Sequence, residues 1–261
     1  MATRIHPTAI VDPSAKIGDE VQVGPYTVIG PDVEIGDGCE IASHVVLSGP
    51  TRMGKNNHIY QFATVGQDTP DKKYQGEATT LVIGDNNVIR EGVTIHRGTV
   101  QDRGETTIGN DNLLMAYAHI GHDSVIGNHT ILVNNVALAG HVIVRDWAIL
   151  SGYTLVHQYC TIGEHAFTGM GAGIGKDVPA YVMVAGNPAE AKTINAEGLR
   201  RRGFSREDIA LINRAYKVVY RRGLTTDEAV ESLKELSKGD ASSVIQPWIA
   251  SLTSSSRGIV R

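Results

Sequence analysis

At 261 residues the chain has room for one or two domains, and a net charge of −4 gives no overall basic field to draw nucleic acid. No apolar run reaches the roughly 18 residues of a membrane span. The start, Met1-Ala2-Thr3-Arg4-Ile5, runs straight into a repeat, so no signal peptide is expected, and two widely separated cysteines, Cys39 and Cys160, fit unpaired thiols in the cytoplasm.

From Ile5 an aliphatic residue recurs at every sixth position: Ile5, Val11, Ile17, Val23, Ile29, Ile35, Ile41, Leu47, Met53, Ile59, Val65. The series resumes at Ile83, Ile89 and Ile95. It resumes again at Ile108 and runs through Leu114, Ile120, Ile126, Leu132, Leu138, Val144, Leu150, Val156 and Ile162 to Ile174, interrupted only by Thr168. A hexapeptide period is the signature of a parallel β-helix. Each hexad supplies a short strand and a turn, and three hexads close a triangular coil. The aliphatic residue points inward and stacks on its equivalent one coil later. Ordinary sandwich strands would not hold one phase over so many repeats. The expected fold is mainly β: a left-handed parallel β-helix over residues 1–189 with a C-terminal α-helical domain over 190–261.

Two breaks interrupt the period. Residues 67–80 (QDTPDKKYQGEATT) and 98–107 (GTVQDRGETT) are polar, with Gly and mixed charge, and read as excursions from the coils. If Ile83 continues the phase of Val65, then Val65, Ile95 and Ile120 stack in one column. Both excursions then leave from the face that carries Ile120. Loops rooted on one face of a rigid scaffold are where function concentrates.

Histidines gather on that face. His96 follows Ile95, His119 precedes Ile120, His122 lies two residues beyond it, His141 follows Gly140, and His157 follows Val156. Coil register places His122, Gly140 and Gln158 in one row, with Asp123, His141 and Tyr159 in the next. The other histidines, His6, His44, His58, His129 and His165, read as solvated turn residues. Two chemistries compete for the cluster. Histidines on a β-helix can hold zinc between subunits, as in gamma-class carbonic anhydrases, but His119 and His122 have an awkward spacing and no further ligand set is evident. Alternatively, Asp123 holds one ring nitrogen of His122 and leaves the other to take a proton. The Gly140 N–H then faces a developing oxyanion. With no activated Ser or Cys evident, a substrate hydroxyl is the nucleophile and the reaction is acyl transfer.

The solenoid is expected to end near Pro179, with Pro179–Pro188 as its exit. Beyond it, Ser205 with Asp208 marks a helix start carrying Ile209, Ile212, Ala215, Tyr216 and Val219 at helical spacing, and Gly223 ends it. Thr226 is expected to cap a second helix, and Val244–Leu252 to form a third.

Several stretches resemble the bacterial UDP-N-acetylglucosamine acyltransferases, which carry out the first step of lipid A synthesis. They are Leu113–Asp123 (LLMAYAHIGHD), Asn134-Asn135, Ala139-Gly140-His141, Val156–Tyr159 (VHQY), Ile89–Thr99 (IREGVTIHRGT) and Glu197–Ser205 (EGLRRRGFS). The resemblance extends over essentially the whole chain. It implies a homotrimer with sites between adjacent solenoids, acyl carrier protein as acyl donor, and no cofactor beyond the phosphopantetheine of that carrier. It places His122 as the base acting on the glucosamine 3-hydroxyl, Asp123 as its orienting carboxylate and Gly140 as the oxyanion donor. It implies that Asp71 and Lys73 bind the acyl 3-hydroxyl and the phosphate or pantetheine. His96, His119, His141, His157 and Gln158 would line the cleft. Asn195, Glu197, Arg201 and Arg202 would hold the uridine diphosphate end. Met170, in one row with Gly152, would mark where the acyl chain ends, near ten carbons (3-hydroxydecanoyl). A basic stretch, Arg206, Arg214, Lys217, Arg221 and Arg222, offers a surface for an acidic carrier. The alternatives are a related N-acyltransferase of lipid A synthesis, which carries an extra N-terminal domain that hexads beginning at Ile5 leave no room for, a zinc-dependent β-helix hydratase, and a non-catalytic solenoid.

Overall fold

The structure, a computed structural model, describes residues 2–238 and 242–261. The hexads fold into short strands, mostly of two residues, arranged in three sheets of eleven, nine and eight strands. Successive hexads enter successive sheets, so every third strand pairs in parallel: Ile5 lies beside Val23, Val11 beside Ile29, and Ile17 beside Ile35. This is the left-handed parallel β-helix of hexapeptide repeats. The aliphatic series forms its core, and Ile59, Ile95, Ile120, Leu132 and Leu138 are fully buried. Thr168 keeps its place in that core because its hydroxyl meets the Thr154 hydroxyl at 2.7 Å and accepts the Ser151 N–H at 3.1 Å. An unpaired hydroxyl there would be costly.

Two insertions are absorbed without losing phase. Ile59 pairs with Ile89 and Ile89 with Leu114, while Val65, Ile95 and Ile120 stack as the period requires. The first insertion joins the strands Thr64–Gln67 and Thr80–Ile83, and the second joins Thr94–His96 and Glu105–Ile108. Gln67, Thr80 and Glu105–Thr107 therefore belong to strands rather than to the excursions where the composition placed them. A buried side-chain ladder helps hold the coils in register across both insertions. The Oδ1 of Asn57 accepts the Asn87 N–H, that of Asn87 the Asn112 N–H, and that of Asn112 the Thr130 N–H, at 2.8–3.0 Å. Each bond satisfies a backbone donor that the tight corner leaves without a carbonyl.

The three sheets meet at three edges, and the edges place the site. Residues 121–124 and their equivalents turn from the nine- to the eight-stranded sheet. Residues 127–130 turn from the eight- to the eleven-stranded sheet, and residues 133–136 from the eleven- to the nine-stranded one. Most corners hold one residue in the left-handed region. Non-glycine side chains occupy it at Asp123 (φ 59°), His129 (φ 55°), Asn135 (φ 60°), His141 (φ 63°) and Trp147 (φ 62°). The corners thus display side chains in vertical rows.

Pro179–Pro188 does not simply leave the solenoid. Val182–Ala185 adds to the eleven-stranded sheet beside Phe167–Thr168 and then pairs antiparallel with Glu190–Ile194, a hairpin that spans position 189. Among the described residues four helices follow: α1 (Ala196–Arg201), α2 (Arg206–Arg221), α3 (Thr226–Leu236) and α4 (Ser242–Thr253). Helix α1, six residues and fewer than two turns long, is too short to show a helical period in the sequence. Helix α2 begins with the expected capping box of Ser205 and Asp208. Helix α3 is capped by Thr225, one residue earlier than expected, since Thr225 has the Glu partner three residues on. Ile212, Ala215, Tyr216, Val219, Ala229, Leu233 and Trp248 pack the small helical core. No helix among the described residues is long and apolar enough to cross a membrane.

Candidate active site

The edge between the nine- and eight-stranded sheets gathers the histidine cluster. His122 places its Nδ1 2.8 Å from Asp123 Oδ2, and Asp123 is 1% exposed. The second excursion closes over that carboxylate. The Thr99 amide donates to both oxygens at 2.9 and 3.0 Å, and the Thr99 hydroxyl donates to Oδ2 at 2.7 Å. Burial alone would raise the Asp123 pKa. The hydrogen bonds from His122 and Thr99 outweigh it and hold the carboxyl below its ordinary value. An ionised Asp123 requires the His122 proton on Nδ1, which leaves Nε2 as the basic nitrogen.

Gly140 lies one coil away, against the imidazole. A Cβ at that position would stand 2.5 Å from both Cε1 and Nε2 of His122. The coil spacing seats the ring on bare backbone, a close approach that only glycine permits. Among the described residues the Gly140 amide donates no hydrogen bond.

The expected rows are present. His141 donates its amide to the His122 carbonyl, and its ring stacks on Tyr159 at 4.2 Å. His119 and His96 form a second pair, with centroids 5.3 Å apart. The His119 Nδ1 is 2.8 Å from the Thr94 hydroxyl, and the His96 Nδ1 is 2.7 Å from the Asp68 carbonyl. Burial, then the neighbouring His96 and His122, lower the His119 pKa. His157 and Gln158 are exposed, and the His157 Nδ1 lies 3.1 Å from the Gln158 carbonyl. In the first excursion the Asp71 side chain accepts the Lys73 amide at 3.0 Å, forming a local turn with Lys73 exposed. The buried Arg97 pins that excursion by donating to the Gly66 carbonyl and to the Tyr74 hydroxyl.

His122, Asp123 and His141 offer ligand atoms within 4.8 Å of one another. This set differs from the His119–His122 pairing weighed on the sequence. Asp123 spends its oxygens on Thr99 and His122, a pattern that orients an imidazole rather than completing a nitrogen- and sulfur-rich zinc shell.

The remaining expected site residues are on other edges of the same chain. Asn195, Glu197, Arg201 and Arg202 line a cavity of about 670 Å³ with Trp147 and Phe167, where the eight-stranded sheet turns into the eleven-stranded one. Asn195 also serves as a structural residue there. Its side chain caps α1 by accepting the Gly198 amide and donates to the His165 carbonyl. Glu197 pairs with Arg200 and Arg201. Arg202 lies 5.2 Å over the Trp147 ring with Nη1 3.1 Å from the His165 Nδ1. His165 is therefore no solvated turn residue. Burial, then the Arg202 charge, push its pKa down to about 4. Met170 and Gly152 occupy the third edge, and Met170 is 81% exposed. Between that edge and the histidine edge, the nine-stranded sheet carries an apolar groove of about 540 Å³. His119, Ala137, Leu155, Val156, Gly173 and Ile174 are among its lining residues.

A repeat solenoid with a carboxylate-oriented histidine is the frame of a hexapeptide acyltransferase. The family of bacterial transferase hexapeptide repeats matches residues 14–49 and 105–140, and the second domain of UDP-N-acetylglucosamine O-acyltransferases matches residues 177–260. The chain is 66% identical over 259 residues to the acyl-acyl-carrier-protein–UDP-N-acetylglucosamine O-acyltransferase of Saccharophagus degradans, spanning 99% of this chain and 100% of the relative. It is 66% identical to that of Stutzerimonas stutzeri, over 98% and 99% of the two chains. The solved enzyme of Acinetobacter baumannii superposes with a TM-score of 0.94 at 50% identity, over 98% of this chain and 99% of that one. The chain belongs to the UDP-N-acetylglucosamine O-acyltransferase family and is an O-acyltransferase.

Proposed function

We propose that this enzyme transfers a 3-hydroxyacyl chain, near 3-hydroxydecanoyl, from acyl carrier protein to the 3-hydroxyl of UDP-N-acetylglucosamine, the first step of lipid A biosynthesis. The names of the relatives support the two substrates. The observation that carries the mechanism is the His122–Asp123 pair with Gly140 beneath the ring. His122 Nε2 removes the proton of the sugar hydroxyl as its oxygen attacks the thioester carbon. The Gly140 N–H receives the developing oxyanion, and as the carbonyl reforms the carrier sulfur leaves, taking the proton from His122 Nε2 to depart as the thiol. Asp123 keeps the ring in the reactive tautomer. The acyl chain lies along the apolar groove, bounded by Met170 in the row of Gly152. Asp71 and Lys73 meet the acyl hydroxyl and the carrier's phosphate or pantetheine, while His96, His119, His141, His157 and Gln158 line the cleft. Arg201 and Arg202 suit a diphosphate, with Asn195 and Glu197 shaping the same cavity. The nucleotide cavity and the base lie on different edges of one chain, which supports a homotrimer whose sites each combine two solenoids. No resident cofactor takes part. We divide the chain into a solenoid, 1–189, and a mainly helical domain, 190–261, whose first strand, Glu190–Ile194, still pairs with the solenoid sheet.

The test is an acyl-transfer assay with UDP-N-acetylglucosamine and a series of acyl carrier proteins of different chain length. Transfer should peak near ten carbons, and His122→Ala should lose about 10²–10⁴-fold in rate while remaining folded. A folded wild type that uses none of these donors refutes the function. A mutant that keeps more than roughly a tenth of the rate moves the base to another residue.

A further inference from the structure

The cleft holds a second histidine–carboxylate contact that the mechanism above does not use. Asp102, near the tip of the second excursion, places Oδ2 2.6 Å from the Nδ1 of His141. We propose that Asp102 is a positioning residue that sets the ring of His141, so that the site contains two oriented histidines, His122 held by Asp123 and His141 held by Asp102. The inference rests on the reading of this edge as an acyltransferase site.

Geometry singles out Asp102. The other carboxylate near His141 is Asp123, whose Oδ2 is 3.9 Å from the same Nδ1, beyond hydrogen-bond length, and already carries the His122 and Thr99 bonds. The ring of His141 is confined on its remaining sides. It stacks on Tyr159 at 4.2 Å and 10°, and meets His122 edge-on at 4.9 Å and 88°. Its side chain is 9% exposed. Stacking alone leaves two orientations related by a half-turn of the ring, because both expose similar apolar area. Only a directional acceptor at Nδ1 selects one. With Asp102 as that acceptor, Nδ1 carries a proton and Nε2 is the nitrogen left without a partner among the described residues.

The same loop governs both pairs. Thr99 at its root donates to Asp123, and the loop then turns back on itself, with the Asp102 and Gly104 amides both donating to the Thr99 carbonyl at 3.2 and 2.9 Å. That turn delivers the Asp102 carboxylate to His141. Asp102 and His141 are 39 residues apart in the chain, so no local motif joins them.

The experiment uses the full-length protein and four variants: Asp102→Ala, Asp102→Asn, His141→Ala, and the double change Asp102→Ala with His141→Ala. Ring nitrogen NMR of His141 should show Nδ1 protonated in the wild type and a mixture of tautomers in Asp102→Ala. The value of kcat/KM for the nucleotide sugar should fall about tenfold or more in Asp102→Ala, the scale of one charge-assisted hydrogen bond. Asp102→Asn, whose amide oxygen still accepts, should retain more. In the His141→Ala background, removing Asp102 should cost nothing further. An equal loss in both backgrounds would mean that Asp102 serves the loop alone and overturns the inference. Unchanged ring signals overturn it whether or not the wild type transfers an acyl group. Altered signals in a wild type that transfers nothing would instead refute the proposed function.

Discussion

His122 owes its direction to two neighbours. Asp123 adjoins it in the chain and is legible in the sequence, as is Gly140, one coil away by counting. The support beneath Asp123 was not legible. Thr99 and Thr106 reach it across coils, through the Thr99 hydroxyl and both amide contacts and through the Thr106 hydroxyl accepting the Asp123 N–H at 2.8 Å. No spacing rule points to Thr99, because it lies within an insertion that departs from the hexad period. At this scale the sharpest prediction concerns Gly140. Its backbone conformation is ordinary, so Gly140→Ala should keep the fold, at an overpacking cost of about 1–3 kcal/mol. The new methyl would stand 2.5 Å from the His122 ring and must displace it. Kinetic assay should find kcat reduced by about 10²-fold or more, since a 1 Å misplacement of a reacting group costs that much. Retention of wild-type kcat would show that the ring need not sit on this glycine.

Among elements, the excursions, the groove and α1 divide the work. The excursions are polar breaks in an apolar period, so the sequence locates them, but it cannot say that one loop tip meets His141. The groove is an array of outward-facing strand residues. Leu155 and Gly173 each follow by three positions the corner residues Gly152 and Met170, which places the row of Met170 at the groove's margin. A methionine 81% exposed in its own chain is an unusual surface residue, and a bound apolar chain would cover it. Met170→Gly should shift the preferred donor to longer chains. Each buried methylene is worth about 0.8 kcal/mol, so opening space for three or four would change relative kcat/KM by about two orders of magnitude. The same profile in mutant and wild type would place the end of the chain elsewhere.

Over the whole molecule, one chain carries two groups of expected site residues on different edges. His122 lies where the nine-stranded sheet turns into the eight-stranded one, while Arg202 lies against Trp147 and His165 at the next edge. The solenoid also exposes apolar side chains a lone monomer would hide, with Ile10 66%, Leu155 53% and Tyr117 66% exposed. Sedimentation should therefore find no stable monomer at micromolar concentration. The stricter expectation is complementation. Purified His122→Ala protein should be nearly inactive, and Arg202→Ala protein, whose KM for the nucleotide sugar should rise more than its kcat falls, should be nearly inactive when assayed well below that KM. When unfolded and reassembled together at equal ratio, they should recover about a quarter of wild-type activity. Random cyclic trimers give each site an intact His122 and an intact neighbouring Arg202 with that frequency. No recovery in mixed trimers would place both residues at a site within one chain.

The hexad period by itself determined the solenoid, its core, the column of Val65, Ile95 and Ile120, and the rows at the corners. A β-helix is quasi-one-dimensional, and its contacts follow from counting residues along the chain. Tertiary structure decided whatever depends on the insertions and the chain's return. It placed Asp102 on His141 and Thr99 on Asp123, set Arg202 between Trp147 and His165, and made Asn195 both a helix cap and a link to the solenoid. It also turned Val182–Ala185 into a further strand instead of an exit. These contacts join segments whose separation is no whole number of three-hexad coils, and only the packed fold fixes where such segments meet.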